Sequence, residues 1–355
     1  MTRPLSLLVT CLLLAGCRAT PDRAPSPADL GRPARAGDAI QSVESWTFEG
    51  VKGRAITTRS FRIYTTSPDS MTIARLPAFL ENALTRYQAS LASLPPPPGR
   101  LETYMMPTRP QWERLTRRLL GDKAGPYLRI VRGGFAAGGR GVYFDIGPRD
   151  SLLIAAHEGW HQYAQSTFES PMPVWLDEGV GVYMEGFRWD PAQPDHAEFL
   201  PWSNPERFDR LRDAARTGRL LPLASLVSTT PQRQIKQGSN SILRYYAQLW
   251  ALVHFLREGE GARHAPDLAR LLEDAASGRL ERTLEASLGR TRAVGAIESR
   301  TGPEALLVYF GDPNDPDSLT HLAGAYERYV MDITRPGARN AVVGGRSPLT
   351  ARSAD

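Results

Sequence analysis

Cysteine is nearly absent from this chain of 355 residues: only Cys11 and Cys17 occur, both close to the N-terminus. No disulfide framework is therefore available to the remainder, which must be held by its core. Lysine is almost as scarce, with Lys52, Lys123 and Lys236 alone, so the net charge of +5 rests on arginine. No basic run interleaved with aromatics occurs, and no nucleic-acid partner is expected. The glycine-rich stretch 133–141 carries no lysine and lacks the order of a dinucleotide fingerprint, so nucleotide binding is not expected either. The apolar run from Leu5 to Leu14 is about half of the roughly 20 residues that a spanning helix needs. What remains is a 41% hydrophobic sequence, long enough for one large domain or two lobes.

Arg3 followed by that apolar run reads as a secretory signal. Leu14-Ala15-Gly16-Cys17 resembles the bacterial lipobox, which implies cleavage before Cys17, lipid on its thiol and a membrane-anchored domain in the cell envelope. Arg18 in place of an aspartate favours the outer membrane, where there is one, by the rule of that family of signals. The alternative is an ordinary cleaved signal.

The expected organisation is a signal at 1–16, a Pro/Ala/Arg-rich tether at 17–44, an α/β lobe at 45–150, a helical lobe at 151–334 and a mobile tail from 335 to 355. Phe61 to Thr65 and Leu101 to Met106 read as strands. Ile73, Leu76, Leu80, Leu84, Tyr87 and Leu91 recur at helical spacing, with Pro77 obscuring the start. Arg109 to Leu120 reads as a helix with Pro110 near its first position. The glycine-rich stretch reads as a turn feeding a strand at Val142 to Ile146. After Pro148 the pattern turns helical, at 151–166, 174–185, 206–217, 242–257, 266–276 and 319–331.

The chemistry concentrates in one place. His157-Glu158-Gly159-Trp160-His161 is an H-E-x-x-H pentapeptide on a helix-favouring segment, and positions i and i+4 share a helix face. One turn thus presents two imidazoles to a single tetrahedral metal, zinc for preference, with Glu158 beside the first ligand and able to reach a water. His196, His254, His264 and His321 have no ligand-like spacing. A third ligand is needed. The metzincin continuation is missing, since Ala164 and Thr167 stand where glycine and histidine would be. Acids follow instead at Asp177, Glu178 and Glu185, and Glu178 lies 178 − 161 = 17 positions beyond His161, enough for a turn at 171–173 and an antiparallel return.

H-E-x-x-H-Q followed by Trp175-Leu176-Asp177-Glu178-Gly179 and Tyr183-Met184-Glu185 resembles the aminopeptidase-N-like gluzincins, and a related group of uncharacterised bacterial peptidases. The resemblance implies that Glu178 is the third zinc ligand, against Asp177 and Glu185. Tyr246 to Leu256 is similar to the gluzincin helix whose leading tyrosine donates to the oxyanion, which implies that role for Tyr246, with Tyr245 as the neighbouring candidate. The similarity runs from about Gly134 to Leu256. It departs in a spacer two residues shorter than in the aminopeptidases and in lacking a G-x-M-E-N motif, so recognition of a substrate amine is not implied.

The resulting expectation is a zincin-like α+β fold, with a small mixed sheet whose edge strand lies above the H-E-x-x-H helix, followed by a mainly helical lobe. The expected activity is zinc-dependent hydrolysis of a peptide or protein substrate. Glu158 acts as general base, Tyr246 as oxyanion donor, and Val142 to Ile146 as the edge strand that pairs with the substrate. The competing readings are a zinc-binding scaffold lipoprotein without catalysis and a hydrolase of non-peptide amides or esters. Neither a protein partner nor an oligomeric state follows from the sequence.

Overall fold

The computed structural model describes residues 39–190 and 192–350. The expected signal, Cys17 and most of the expected tether lie outside the described residues. The architecture is α+β: a six-stranded mixed sheet comes first and helices follow.

The sheet opens with a hairpin that the sequence did not announce. Strands β1 (Ser42–Phe48) and β2 (Val51–Thr57) pair antiparallel across the two-residue turn Glu49-Gly50, both at positive φ, as a tight hairpin requires. The first described strand therefore starts at Ser42, three residues before the expected start of the lobe at 45. Strand β3 (Phe61–Thr65) continues antiparallel to β2, then pairs parallel with β4 (Leu101–Met106). Helix α1 (Met71–Ala89) makes that crossover; Ser70 caps it by accepting from the Ile73 amide, and Pro77 lies inside it. Helix α2 (Arg109–Leu120) begins, as expected, with Pro110 in its first turn.

The glycine-rich stretch is itself part of the sheet. Strands β5 (Gly134–Ala137) and β6 (Arg140–Phe144) form a hairpin about Gly138-Gly139, at φ 57° and 74°. The strand order is β1-β2-β3-β4-β6-β5, so Val142 to Ile146 is not an edge. The strand part of it, up to Phe144, is flanked by β4 and β5, and β5 is the edge strand at this end of the sheet. The expectation fails because Gly134-Phe135-Ala136-Ala137 has too little polar alternation to be read as a strand.

The two sheet faces are buried differently. Phe61, Ile63, Leu101, Met105 and Tyr143 face the main core with α1 and the helices that follow, while Phe48, Met106, Val142 and Phe144 pack with Trp112 and Leu115 of α2 on the other face. Helix α3 (Pro148–Thr167) and helix α4 (Val174–Met184) come next, then a small hairpin of β7 (Phe187–Asp190) and β8 (Gln193–Phe199). Helices α5 (Pro205–Arg216), α6 (Leu223–Val227) and α7 (Pro231–Lys236) lead to α8 (Ser239–Ala262), which leaves helical geometry at Gly259 to Gly261. Helices α9 (Ala265–Ala276), α10 (Leu280–Leu288), α11 (Arg290–Ser299), α12 (Glu304–Phe310) and α13 (Ser318–Ile333) complete the helical part. The expected tail is corrected by α14 (Ala338–Val343), whose Ala338, Ala341 and Val342 are buried and whose Arg339 pairs with Asp209 of α5. No described helix is long and apolar enough to cross a membrane.

Candidate metal centre

Helices α3 and α4 meet at the pentapeptide, and two glycines of α4 allow it. A Cβ on Gly181 would stand 3.1 Å from His157 Cε1, and one on Gly179 would stand 2.9 Å from Val253 of α8. Helix α4 is thus held closely between α3 and α8 because it lacks side chains at those two places.

His157, His161 and Glu178 converge. The two Nε2 atoms are 3.3 Å apart, and Glu178 Oε2 is 3.6 Å from that of His157 and 3.7 Å from that of His161. The carboxylate is too far for a hydrogen bond to either ring. Among the described residues it accepts no hydrogen bond at all. Three ligand atoms on a tetrahedral ion with bonds of about 2.0–2.2 Å are separated by about 3.3–3.6 Å, so the donor set suits one small divalent cation. Each imidazole is also fixed from behind. His157 Nδ1 is 3.0 Å from Glu185 Oε1, and His161 Nδ1 is 2.9 Å from Asp177 Oδ1. These contacts turn both Nε2 lone pairs toward the shared point.

The two rival acids of the sequence thus sit on the outer nitrogens, and among the described residues Glu178 is the one acid paired with both inner ones. They have their own supports, which sequence reasoning missed. Arg207 of α5 forms a fork on Glu185 at 2.9 and 3.0 Å, with Asn204 Nδ2 donating at 2.9 Å. Arg300 donates to Asp177 Oδ2 at 2.8 Å, and Trp160 Nε1 donates to Oδ1 at 3.2 Å. Only one signal pointed to any of this: Glu185 lies seven residues after Glu178, two turns along the same face of α4.

Electrostatics follow from burial and proximity. Burial lowers the His157 pKa, but the nearby Glu178 carboxylate and the hydrogen-bonded Glu185 outweigh it and raise the group to about 9. Burial pushes the Glu178 carboxyl up, yet the two imidazoles hold it well below the usual range. Glu185 is held at about 2, since Arg207 and His157 overcome its burial. Glu158 moves the other way: burial raises it, against the two histidines. Its Oε2 accepts from the amide of Ala136 on edge strand β5 at 3.0 Å.

No family model matches this chain, and no curated protein or solved structure matches it either.

The two tyrosines of α8 separate. Tyr246 packs edge-on against His157, ring centroids 5.9 Å apart, with the Arg207 guanidinium over its ring at 5.3 Å from the centre. Burial pushes its phenol well above the ordinary value, with Glu178 and Glu158 adding to the rise. Tyr245 is fully buried, and its hydroxyl has no hydrogen-bond partner. Of the remaining histidines, His254 stacks on Trp202 at 3.9 Å inside the core, and His264 is buried near Phe255. Neither joins the cluster.

Proposed function

We propose that this chain is a zinc-dependent hydrolase of peptide bonds with a zincin-like arrangement, and that His157, His161 and Glu178 hold the metal. The observation that carries the reading is the convergence of those three ligand atoms beside Glu158, a half-buried glutamate outside the ligand set. Zinc held there supplies Lewis acidity, which polarises a carbonyl and eases deprotonation of a water.

The chain's own residues perform the rest. Glu158 sits one residue from a ligand, and its raised pKa suits it to take the proton of the attacking water and return it to the leaving amine. Tyr246 stays protonated, because burial raises its phenol, and can therefore donate to the developing oxyanion. Edge strand β5 offers an extended substrate the main-chain pairing that was expected of β6, next to Glu158.

Digestion of a peptide library by purified protein, with and without chelator, tests this reading. Cleavage that chelation abolishes and zinc restores is expected, and Glu158→Gln should lose about 10²–10⁴-fold in turnover while keeping its metal. A library left intact by zinc-loaded protein, or an equally active Glu158→Gln, overturns it.

A further inference from the structure

The residue that supports His161 from furthest away in sequence is Arg300, at the C-terminal end of α11. Three of its contacts fall on the start of α4 and the short segment that enters it, and a fourth contact leads on to His161. Its Nη2 donates to Asp177 Oδ2 at 2.8 Å, its Nε donates to the Met172 carbonyl at 2.7 Å, its own carbonyl accepts from the Val174 amide at 2.7 Å, and Asp177 passes the interaction on to His161 Nδ1 at 2.9 Å. The turn that places Glu178 and the acid that orients His161 are therefore tied to one side chain, and through it to the helical part some 120 residues downstream in sequence (300 − 177 = 123).

Two details argue against an incidental surface pair. Asp177 divides its oxygens, Oδ1 facing His161 and Trp160 and Oδ2 facing Arg300, so the guanidinium fixes the rotation of the carboxylate as well as its charge. Arg300 also has a left-handed backbone, at φ 54°, at a helix C-terminus where glycine is usual. A side chain is kept at a position that disfavours one, and that side chain reaches Asp177.

We propose that Arg300 is a positioning residue for the metal centre, which sets the orientation of His161 through Asp177 and the entry of α4 through Met172 and Val174. The inference rests on the metal-site reading above. It assigns no direct contact with substrate or metal.

Arg300→Gly is the informative substitution, because glycine relieves the left-handed backbone while deleting the guanidinium. Zinc affinity by chelator competition, the visible absorption of the cobalt-substituted protein and the urea midpoint should be measured for the parent, for Arg300→Gly with and without guanidinium ion, and for Arg300→Lys. Expected for Arg300→Gly are zinc binding weaker by about 10–100-fold, an altered cobalt spectrum, and recovery of both on adding guanidinium; Arg300→Lys should fall in between. Arg300→Gly with the parent's zinc affinity and cobalt spectrum overturns the inference. So does a loss that tracks the urea midpoint and is untouched by guanidinium, since that marks a purely structural role. A parent that takes up no zinc overturns the metal reading itself, and this inference with it.

Discussion

His254 should cost this protein stability as the pH falls, by an amount that its surroundings allow to be worked out. Its ring lies between Trp202, Trp250 and Tyr183 in the core, Nε2 has no hydrogen-bond partner, and burial lowers its pKa from 6.5 to about 3. A depressed histidine binds its proton in the unfolded chain before the folded one. Between about pH 6.5 and 3 the unfolded state therefore holds more protons, and stability falls as the pH drops through that window. Moving from pH 7 to pH 5 should remove about 2 kcal/mol through this group alone, which for a domain of this size is about 3 °C in Tm. The comparison is His254→Phe, which keeps a flat ring in the aromatic sandwich and loses the titration. The difference between the two thermal midpoints, measured with chelator across pH 5 to 7, should shift by about 3 °C in the variant's favour toward acid, whatever fixed packing cost the variant carries. Parallel profiles would show that the buried imidazole is protonated in the folded state after all, and the argument would fail.

Gly181→Ala should divide two effects that usually run together. A helical alanine in place of glycine stabilises α4 by about 0.5–1 kcal/mol, but the new methyl would sit 3.1 to 3.3 Å from the His157 ring. Denaturation of the metal-free protein should show equal or higher stability while zinc affinity falls by about 10-fold; unchanged affinity would mean the ring shifts freely. Tyr246→Phe should keep stoichiometric zinc and lose about 10²-fold in kcat with little change in KM, and Tyr245→Phe should change neither beyond about 2-fold. If Tyr245→Phe is the damaging variant in steady-state assays, the oxyanion role belongs to the deeper tyrosine.

The site was legible where chemistry follows local spacing and illegible where it depends on chain return. His157, Glu158 and His161 share one helical turn, so their common face could be read from positions i, i+1 and i+4. Glu178 needed the family resemblance as well, because Asp177 and Glu178 lie on α4 and Glu185 caps its C-terminus, and spacing alone does not say which reaches the inner nitrogens. Arg207, Asn204 and Arg300 come from α5, its cap and α11, and nothing in their neighbouring residues marks them as partners of Glu185 or Asp177. In the fold, the helices with a clear apolar period were placed to within a few residues. The β1–β2 hairpin was missed because Glu49-Gly50 hides a turn behind a residue that rarely takes positive φ; of the second hairpin the turn and β6 were read and β5 was missed, because glycine and alanine fill it. Helix α14 was read as tail, since its burial rests on three small side chains and one ion pair.

The proposed function depends on a metal held by His157, His161 and Glu178. The measurement that bears on this most directly is zinc content per chain after reconstitution and dialysis, for the parent, His161→Ala, Glu178→Ala, Asp177→Ala and Glu185→Ala. The account predicts close to one zinc for the parent, loss of tight binding in His161→Ala and Glu178→Ala, and retained but about 10–100-fold weaker binding when Asp177 or Glu185 is removed. A parent without zinc, or a Glu178→Ala protein that holds it as tightly as the parent, contradicts the account.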